Sequence, residues 1–159
     1  MSWTRQCVHI KEELEYIRHY ISLINLRYDS HIDLSINISD SLLEFEIIKL
    51  LIQPLVENSV IHGIIPRGDN GSITISIYKE GKVLYIEVAD DGIGIPVDRL
   101  EELNSSILMS GDMPDTNRSS IGLANVNERI KVFYGNEYGV TIESVYGHCT
   151  KAVLRLPNH

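Results

Sequence analysis

Apolar residues recur along the chain with two periods, and the longer period predicts helices. It runs through residues 8–29, where intervals of four and three join Ile10, Leu14, Ile17, Ile21, Ile24 and Tyr28. This spacing fits the seam of a coiled coil, but fewer than three heptads are present, so an amphipathic helix packed on its own domain stays equally open. Two further helices are predicted over about 44–63, with Pro54 as a kink, and over about 121–134.

The shorter period, a strict alternation of apolar and polar residues, predicts strands. The alternation is present in 31–39, 73–78 and 83–89. Residues 139–146 and 150–156 flank Gly147 and are predicted as a hairpin. Helices and strands in this order predict an α/β (α+β) two-layer sandwich, with a mixed, mostly antiparallel sheet of about five strands and helices on one face. The polar stretch 97–119 shows no long period, so we expect a long loop that is poorly ordered without ligand.

Length and composition place the chain among soluble globular proteins. Its 159 residues suffice for one domain with its own core. A net charge of -8 argues against non-specific binding of nucleic acid, and no apolar run is long enough to span a membrane. The two cysteines, Cys7 and Cys149, lie far apart and form no metal-ligand spacing, which is typical of a reducing cytosol.

The stretch Gln53–Gly63 (QPLVENSVIHG) places two polar side chains in an otherwise apolar predicted helix. Asn58 and His62 are four positions apart and therefore share one helix face. Burying an amide without a partner costs a few kcal/mol, on the order of 2–7. Either the fold or a ligand must satisfy these groups.

Two glycine-containing turns follow at equal intervals along the chain. In the first, Asp90 ends a predicted strand and leads into Asp91-Gly92-Ile93-Gly94, a sharp turn that exposes backbone beside a carboxylate. In the second, Ser119 or Ser120 can cap a helix whose first turn contains Gly122. Free N–H groups at such a helix start can hold a phosphate.

These three segments, in this order, resemble the nucleotide-binding boxes of the GHKL superfamily, which includes sensor histidine kinases, gyrase-type topoisomerases, mismatch-repair ATPases and ninety-kilodalton heat-shock chaperones. The wording Gln-Pro-Leu-Val-Glu-Asn is similar to the N box of LytS/YesM-like sensor histidine kinases. The segment 11–28 and the ending with Gly147, Thr150, Val153, Leu154, Leu156 and Pro157 also look like that family. The resemblance covers nearly the whole chain and implies a histidine-kinase-type ATPase fold.

The resemblance implies roles for individual residues around ATP and Mg²⁺. Asp90 would accept a hydrogen bond from the adenine amino group, with Thr150 nearby to share a water. Asn58 would ligate Mg²⁺ through its side-chain oxygen, which suits this hard cation, and His62 would contact a phosphate. The remaining predicted ATP-binding residues supply backbone around the base and ribose, backbone around the phosphates, or a cation of the lid: Gly92, Gly94, Ile95, Gly122, Leu123 and Arg118.

The same resemblance implies the organisation of the protein and its partners. Residues 1–30 would be the last helix of a dimerisation stalk, and 31–159 the ATP-binding catalytic domain, with a lid at about 97–119. The domain would transfer the γ-phosphoryl group of ATP to a stalk histidine that this chain lacks, and would not autophosphorylate alone. Its partners would be adenine nucleotide, the stalk helices of its own dimer and the receiver domain of a response regulator. It would form the cytoplasmic portion of a membrane-anchored sensor, with no nucleic acid and no direct membrane contact.

Several positions depart from the wording of the family. They replace a cation, an amide or a glycine close to the predicted site: Ile61, Asp91, Ser120, His148 and Cys149. These changes predict modest nucleotide affinity and keep open a degenerate regulatory module without kinase activity. An anti-sigma-factor-type serine kinase is a further alternative, although Pro54 stands where such kinases carry a glutamate.

Overall fold

The computed structural model describes residues 6–108 and 118–158, except for the side chains of 118–121. The strands of this part are β1 (Cys7–His9), β2 (His31–Ile38), β3 (Glu46–Ile48), β4 (Asn70–Glu80), β5 (Val83–Asp90), β6 (Gly139–Val145) and β7 (Cys149–Pro157). The helices are α1 (Ile10–Tyr28), α2 (Gln53–Asn58), α3 (Ile65–Gly68), α4 (Val97–Leu108) and α5 (Arg118–Tyr134). A 3₁₀ turn covers Asp40–Leu42, and a π-helical segment, Ser59–Ile64, continues α2.

A five-stranded mixed sheet in the order β2-β4-β5-β7-β6 carries the fold. Strands β2 and β4 are parallel, and every other neighbouring pair in this sheet is antiparallel. Burial alternates along β5, so Leu84, Ile86 and Val88 face the core. The two-layer sandwich with a mostly antiparallel sheet is therefore confirmed. The same alternation places Asp90, the last residue of β5, on the buried face.

Helix α1 packs on the domain through the apolar positions that fitted a coiled-coil seam. Ile10, Leu14, Ile17 and Ile21 are all buried in the central core. The amphipathic-helix interpretation therefore accounts for this stripe. A different stripe, with Tyr16, Leu23 and Leu26, is exposed. The division of the chain near residue 30 stays a prediction.

The helix predicted over 44–63 is wrong in its first half. Residues 46–48 form β3, which pairs with β1 in a small two-stranded sheet, and α2 begins only at Gln53. Ile47 and Ile48 are buried, and a strand pairing with a distant segment overrode the local helical pattern. Pro54 lies in the first turn of α2, where proline is well tolerated, and does not kink the helix.

The prediction of a disordered loop is wrong for 97–108, which form α4. Leu100, Leu103 and Ile107 fall three and four apart and pack against the core. Asn104 also donates to and accepts from the backbone of Ile142 on the edge strand β6, both at 3.0 Å. The loop prediction is also wrong for 118–119, which begin α5, while 109–117 lie outside the described residues.

No helix within residues 6–108 and 118–158 is both long enough and apolar enough to cross a membrane.

Candidate nucleotide-binding site

Asp90 is a carboxylate held inside the domain at the end of β5. Its side chain is only 4% exposed. The N–H of Gly92 donates to its Oδ1 at 2.9 Å, and the hydroxyl of the buried Ser59 donates to the same carboxylate. Burial raises the pKa of Asp90 and the charge of Asp91 adds to this, while the two hydrogen bonds oppose the shift. Asp90 is thus a desolvated acceptor with its orientation fixed.

Two glycines bring the backbone of the π-helical segment against the turn that follows β5. A Cβ at Gly92 would lie 2.3 Å from the carbonyl carbon of Gly63, and a Cβ at Gly63 would lie 2.6 Å from Asp90 Oδ1. Carbon atoms in contact prefer about 3.5–4.0 Å, so neither position has room for a side chain. The N–H of Ile93 also donates to the carbonyl of Gly63 at 3.1 Å. We call Gly63, Asp90 and Gly92 the glycine cradle.

The β6–β7 hairpin closes the other side of this turn. Gly94 has φ +74°, and a Cβ there would lie 2.4 Å from the carbonyl oxygen of Val145. Gly147 donates its N–H to the carbonyl of Ile93 at 2.6 Å, and Ile95 donates its N–H to Ser144 Oγ at 2.8 Å. The backbone from 92 to 95 is therefore fixed from two directions.

Thr150 lies beside Asp90 because the two residues are register partners in β5 and β7. Its buried hydroxyl is 2.9 Å from Ser144 Oγ. Since Ser144 donates its own proton to the carbonyl of Cys149, Thr150 must donate to Ser144. The remaining lone pairs of Thr150 stay available next to the Asp90 carboxylate.

Asn58 and His62 lie beside the residues that touch Asp90. Asn58 directly precedes Ser59, and His62 directly precedes Gly63. Ser59, His62 and Gly63 lie in the π-helical segment, and π-helical turns are often found at functional sites. Asn58 is half-buried, and no hydrogen bond joins its side chain to another residue of the described part. His62 is exposed as a whole, yet burial of part of its ring lowers its pKa, so the imidazole is neutral at pH 7. Both side chains are available to a ligand.

The segment around Gly122, which we call the second glycine box, lies at the start of α5, and α5 packs against α2 and β6. Gly122 is half-buried, and a Cβ there would meet no atom of the described residues within 4 Å. Leu123 is buried in the core, so only its backbone can face a ligand. No described hydrogen bond joins Gly122 to the glycine cradle. Arg118 is the first residue of α5, and its side chain lies outside the described part.

The residues that depart from the family wording have different surroundings. The Asp91 carboxylate accepts the N–H of Ser72 at 2.7 Å, so it serves the start of β4. Ile61, His148 and Cys149 are exposed. The side chain of Ser120 is outside the described residues.

The donor set fits a nucleotide with Mg²⁺ better than a metal held by protein alone. In the described part of the chain, no three His, Cys, Asp or Glu side chains come together as a metal site. Asn58 offers one hard oxygen, and Mg²⁺ commonly takes one or two protein ligands and completes its shell with waters and substrate phosphates. The buried acceptor in the glycine cradle suits a base with an exocyclic amino group.

Three residues of this site had no predicted role: Ser59, Gly63 and Ser144. Gly63 closes the QPLVENSVIHG stretch, so a glycine at the end of an apolar helix was a usable signal for close backbone approach. Ser59 and Ser144 carry no such signal, because a serine in a helix or a strand is ordinary.

Comparisons with known proteins agree with this geometry. The family model of histidine kinase-, DNA gyrase B-, and HSP90-like ATPases matches residues 44–159. Sensor histidine kinase BtsS of Escherichia coli K12 is 28% identical over 151 residues, which cover 94% of this chain and 24% of that protein. Sensor protein kinase HptS of Staphylococcus aureus USA300 is 31% identical over 150 residues, covering 94% and 28%. The chain therefore spans about a quarter of the length of these relatives.

Solved structures show the same fold. The catalytic domain of histidine kinase ThkA superposes with a TM-score of 0.64 at 15% identity, covering 95% of this chain and 94% of that one. The histidine kinase domain of a blue-light activated kinase from Erythrobacter litoralis EL346 gives a TM-score of 0.62 at 17% identity, covering 94% and 65%. Since the family model spans most of the chain, including the glycine cradle, the chain belongs to the histidine kinase-, DNA gyrase B-, and HSP90-like ATPases.

Proposed function

We propose that this chain is the ATP-binding catalytic domain of a two-component sensor histidine kinase. The observation that carries the proposal is the glycine cradle: a buried, oriented carboxylate between two backbone segments that approach too closely for a side chain at Gly63 or Gly92. The membership in the ATPase family and the two sensor kinases among its relatives support it.

Asp90 selects the base. Its carboxylate accepts from the amino group of adenine, whereas guanine presents a carbonyl oxygen in the corresponding place and would be repelled. Thr150 supplies a second polar group beside it, with free lone pairs that can hold a bridging water. Gly92, Gly94 and Ile95 shape the wall along the base and ribose.

Asn58, His62 and the start of α5 serve the phosphates. Asn58 would hold Mg²⁺ through its amide oxygen, and this cation supplies neutralisation of the charge on the phosphate oxygens. His62, neutral at pH 7, donates a hydrogen bond rather than a full charge. Backbone N–H groups around Gly122 and Leu123, and the guanidinium of Arg118, complete the phosphate contacts.

The reaction is transfer of the γ-phosphoryl group to a histidine of the stalk and from there to an aspartate of a response regulator. The protein contributes mainly positioning and electrostatic stabilisation. His9 and His19 lie near or within α1, but neither stands in the acceptor motif that the resemblance implies. The proposed partners are the acceptor histidine, the receiver domain of a response regulator and the membrane-anchored portion of a sensor.

Titration with a fluorescent ATP analogue, with and without Mg²⁺, tests the nucleotide site. Asp90→Asn should abolish binding, because an amide replaces the acceptor-only carboxylate. Asn58→Ala should keep binding but remove its dependence on Mg²⁺. Asn70→Ala is the control for Asn58→Ala, since Asn70 is exposed at the start of β4.

Unchanged binding by both site variants contradicts the assigned roles. Absence of binding by every protein, wild type included, favours a degenerate module. The kinase step has its own test: the stalk segment of a sensor kinase is supplied in trans with ATP, and phosphohistidine is measured. Nucleotide binding without phosphohistidine formation would separate a binding module from a kinase.

A further inference from the structure

Glu13 of α1 is a carboxylate buried against the start of the helix that carries Asn58. Its side chain is 3% exposed. Oε1 accepts the N–H of Ile52 at 2.7 Å and that of Gln53 at 3.4 Å. These two N–H groups lie at the N-terminus of α2, where helices leave donors without intrahelical partners.

Helix α2 has no local residue that could do this. Its N-cap position is Ile52, which has no polar side chain, and Pro54 in the first turn has no N–H to offer. The acceptor therefore comes from another element, α1. Because α2 has only six residues, Asn58 is about 7.5 Å from the capped end at 1.5 Å per residue.

The two oxygens of Glu13 are in unequal surroundings. In the described part of the chain, Oε2 is buried and has no hydrogen-bond partner. Burial raises the pKa of Glu13, against the effect of the N–H groups of Ile52, Gln53 and Leu51 and of the charge of Arg129. A buried carboxylate with one idle oxygen is costly, so stability alone does not explain the choice of glutamate here.

The residues just before α2 are also held by α5. Arg129 donates to the carbonyls of Lys49 and Leu50, and Leu50 takes a left-handed φ of +60°. The same helix α5 begins at the second glycine box. Residues 49–53 therefore contact both α1 and α5 and lead into α2.

We propose that Glu13 is a positioning residue, through which the place of α1 sets the orientation of Asn58 and with it the magnesium-dependent part of nucleotide binding. This rests on the proposed role of Asn58. Glu13 touches no ligand; it fixes the start of α2, whose last residue before the π-helical segment is Asn58. If the stalk displaced α1, the Glu13 carboxylate would move away from the N–H groups at the start of α2. Asn58 would then be less well oriented to bind Mg²⁺.

A double-mutant cycle with Asn58→Ala tests this coupling. The affinity of a fluorescent ATP analogue is measured with and without Mg²⁺ for wild type, Glu13→Ala, Asn58→Ala and the double variant. Glu13→Ala should weaken binding about tenfold with Mg²⁺ and less than about twofold without it. In the Asn58→Ala background it should have no further effect beyond about twofold.

Two variants serve as controls. Glu13→Gln keeps an acceptor oxygen at the same place and should restore the dependence on Mg²⁺. Glu15→Ala removes an exposed glutamate from the same helix and should behave as wild type. If Glu13→Ala does not fold, Glu13→Asp replaces it, because the shorter side chain withdraws the acceptor while it keeps the charge.

Equal losses with and without Mg²⁺, or the same loss in the Asn58→Ala background, would overturn the inference and leave Glu13 as a residue of the core alone. No change in Glu13→Ala would overturn it as well. These outcomes differ from a failure of the proposed function, in which Asn58→Ala itself leaves the dependence on Mg²⁺ intact or wild type binds no nucleotide.

Discussion

The two ends of the candidate site are built in different ways. At the proposed adenine end, Asp90 accepts hydrogen bonds from Gly92 and Ser59, Thr150 bonds to Ser144, and Gly63 and Gly92 meet backbone to backbone. At the proposed phosphate end, Asn58 has no side-chain partner in the described part, His62 is exposed, and a Cβ at Gly122 would meet no atom of the described residues within 4 Å.

In the proposed function, this difference separates recognition of the base from binding of the phosphates and Mg²⁺. The adenine end is preorganised by the sheet and the π-helical segment, so base selection costs little rearrangement on binding. The phosphate end keeps its polar groups free for ions that arrive with the ligand. We therefore expect substitutions at the adenine end to affect stability and binding together, and those at the phosphate end to affect binding alone.

The largest effect is expected for alanine in place of a cradle glycine. Gly92→Ala would place a methyl group 2.3 Å from the Gly63 backbone, which cannot move away as a flexible side chain could. We expect the free energy of unfolding to fall by about 2–3 kcal/mol. We also expect nucleotide binding to be lost. Urea denaturation and an ATP-analogue titration measure the two.

The matched substitution at the phosphate end is Gly122→Ala. Its methyl group on α5 would meet no atom of the described residues within 4 Å, so stability should stay the same or rise by up to about 1 kcal/mol. Equal destabilisation by the two alanines would remove the contrast between the ends.

The next effect concerns the hydroxyl that joins the hairpin to the turn after β5. Ser144→Ala leaves the N–H of Ile95 and the hydroxyl of Thr150 without an acceptor. The free energy of unfolding should fall by about 1–2 kcal/mol. Ser106→Ala, which removes only a bond to a carbonyl within α4, should change it by less than about 0.5 kcal/mol. Thermal or urea unfolding compares them, and equal values would mean that the Ser144 network is not structural.

A third effect depends on pH and belongs to the adenine end. Because burial raises the pKa of Asp90, its contribution to stability is fully present below the ordinary value of 3.8 and is lost as pH rises through the raised value. Asp90→Asn should therefore gain stability relative to wild type as pH rises through this window. Urea unfolding of both proteins in steps from about pH 4 to 7 measures the difference, in which shared titrations cancel. A difference that stays constant with pH would mean that Asp90 is solvated.

The smallest effect is expected at the phosphate end. His62→Ala should change the free energy of unfolding by less than about 0.5 kcal/mol, since the ring is exposed and has no described partner. Its loss should weaken ATP-analogue binding by about 1 kcal/mol, the value of one neutral hydrogen bond. Ile61→Ala, the exposed neighbour, should leave affinity unchanged. A large loss of stability in His62→Ala would place this residue with the adenine end.

The sequence by itself predicted the five strands of the main sheet and the three segments that resemble nucleotide-binding boxes. Alternation in β5 and the turn residues of each hairpin are local signals, and the resemblance rested on contiguous segments such as QPLVENSVIHG. The sequence also predicted the apolar stripe of α1, but not the surface against which it packs. A period of 3.5 residues does not say whether a helix packs on a neighbouring chain or on its own domain.

Only the tertiary structure decided what distant segments do to one another. Residues 46–48 form a strand because they pair with β1, so α2 begins only at Gln53. Contacts with the core made 97–108 a helix. The register of β5 with β7 placed Thr150 beside Asp90, and the register of β6 with β7 placed Ser144 beside Thr150. The cap that Glu13 gives to α2 spans 39 positions along the chain. No local pattern encodes such contacts, because burial and hydrogen-bond satisfaction are properties of the packed molecule.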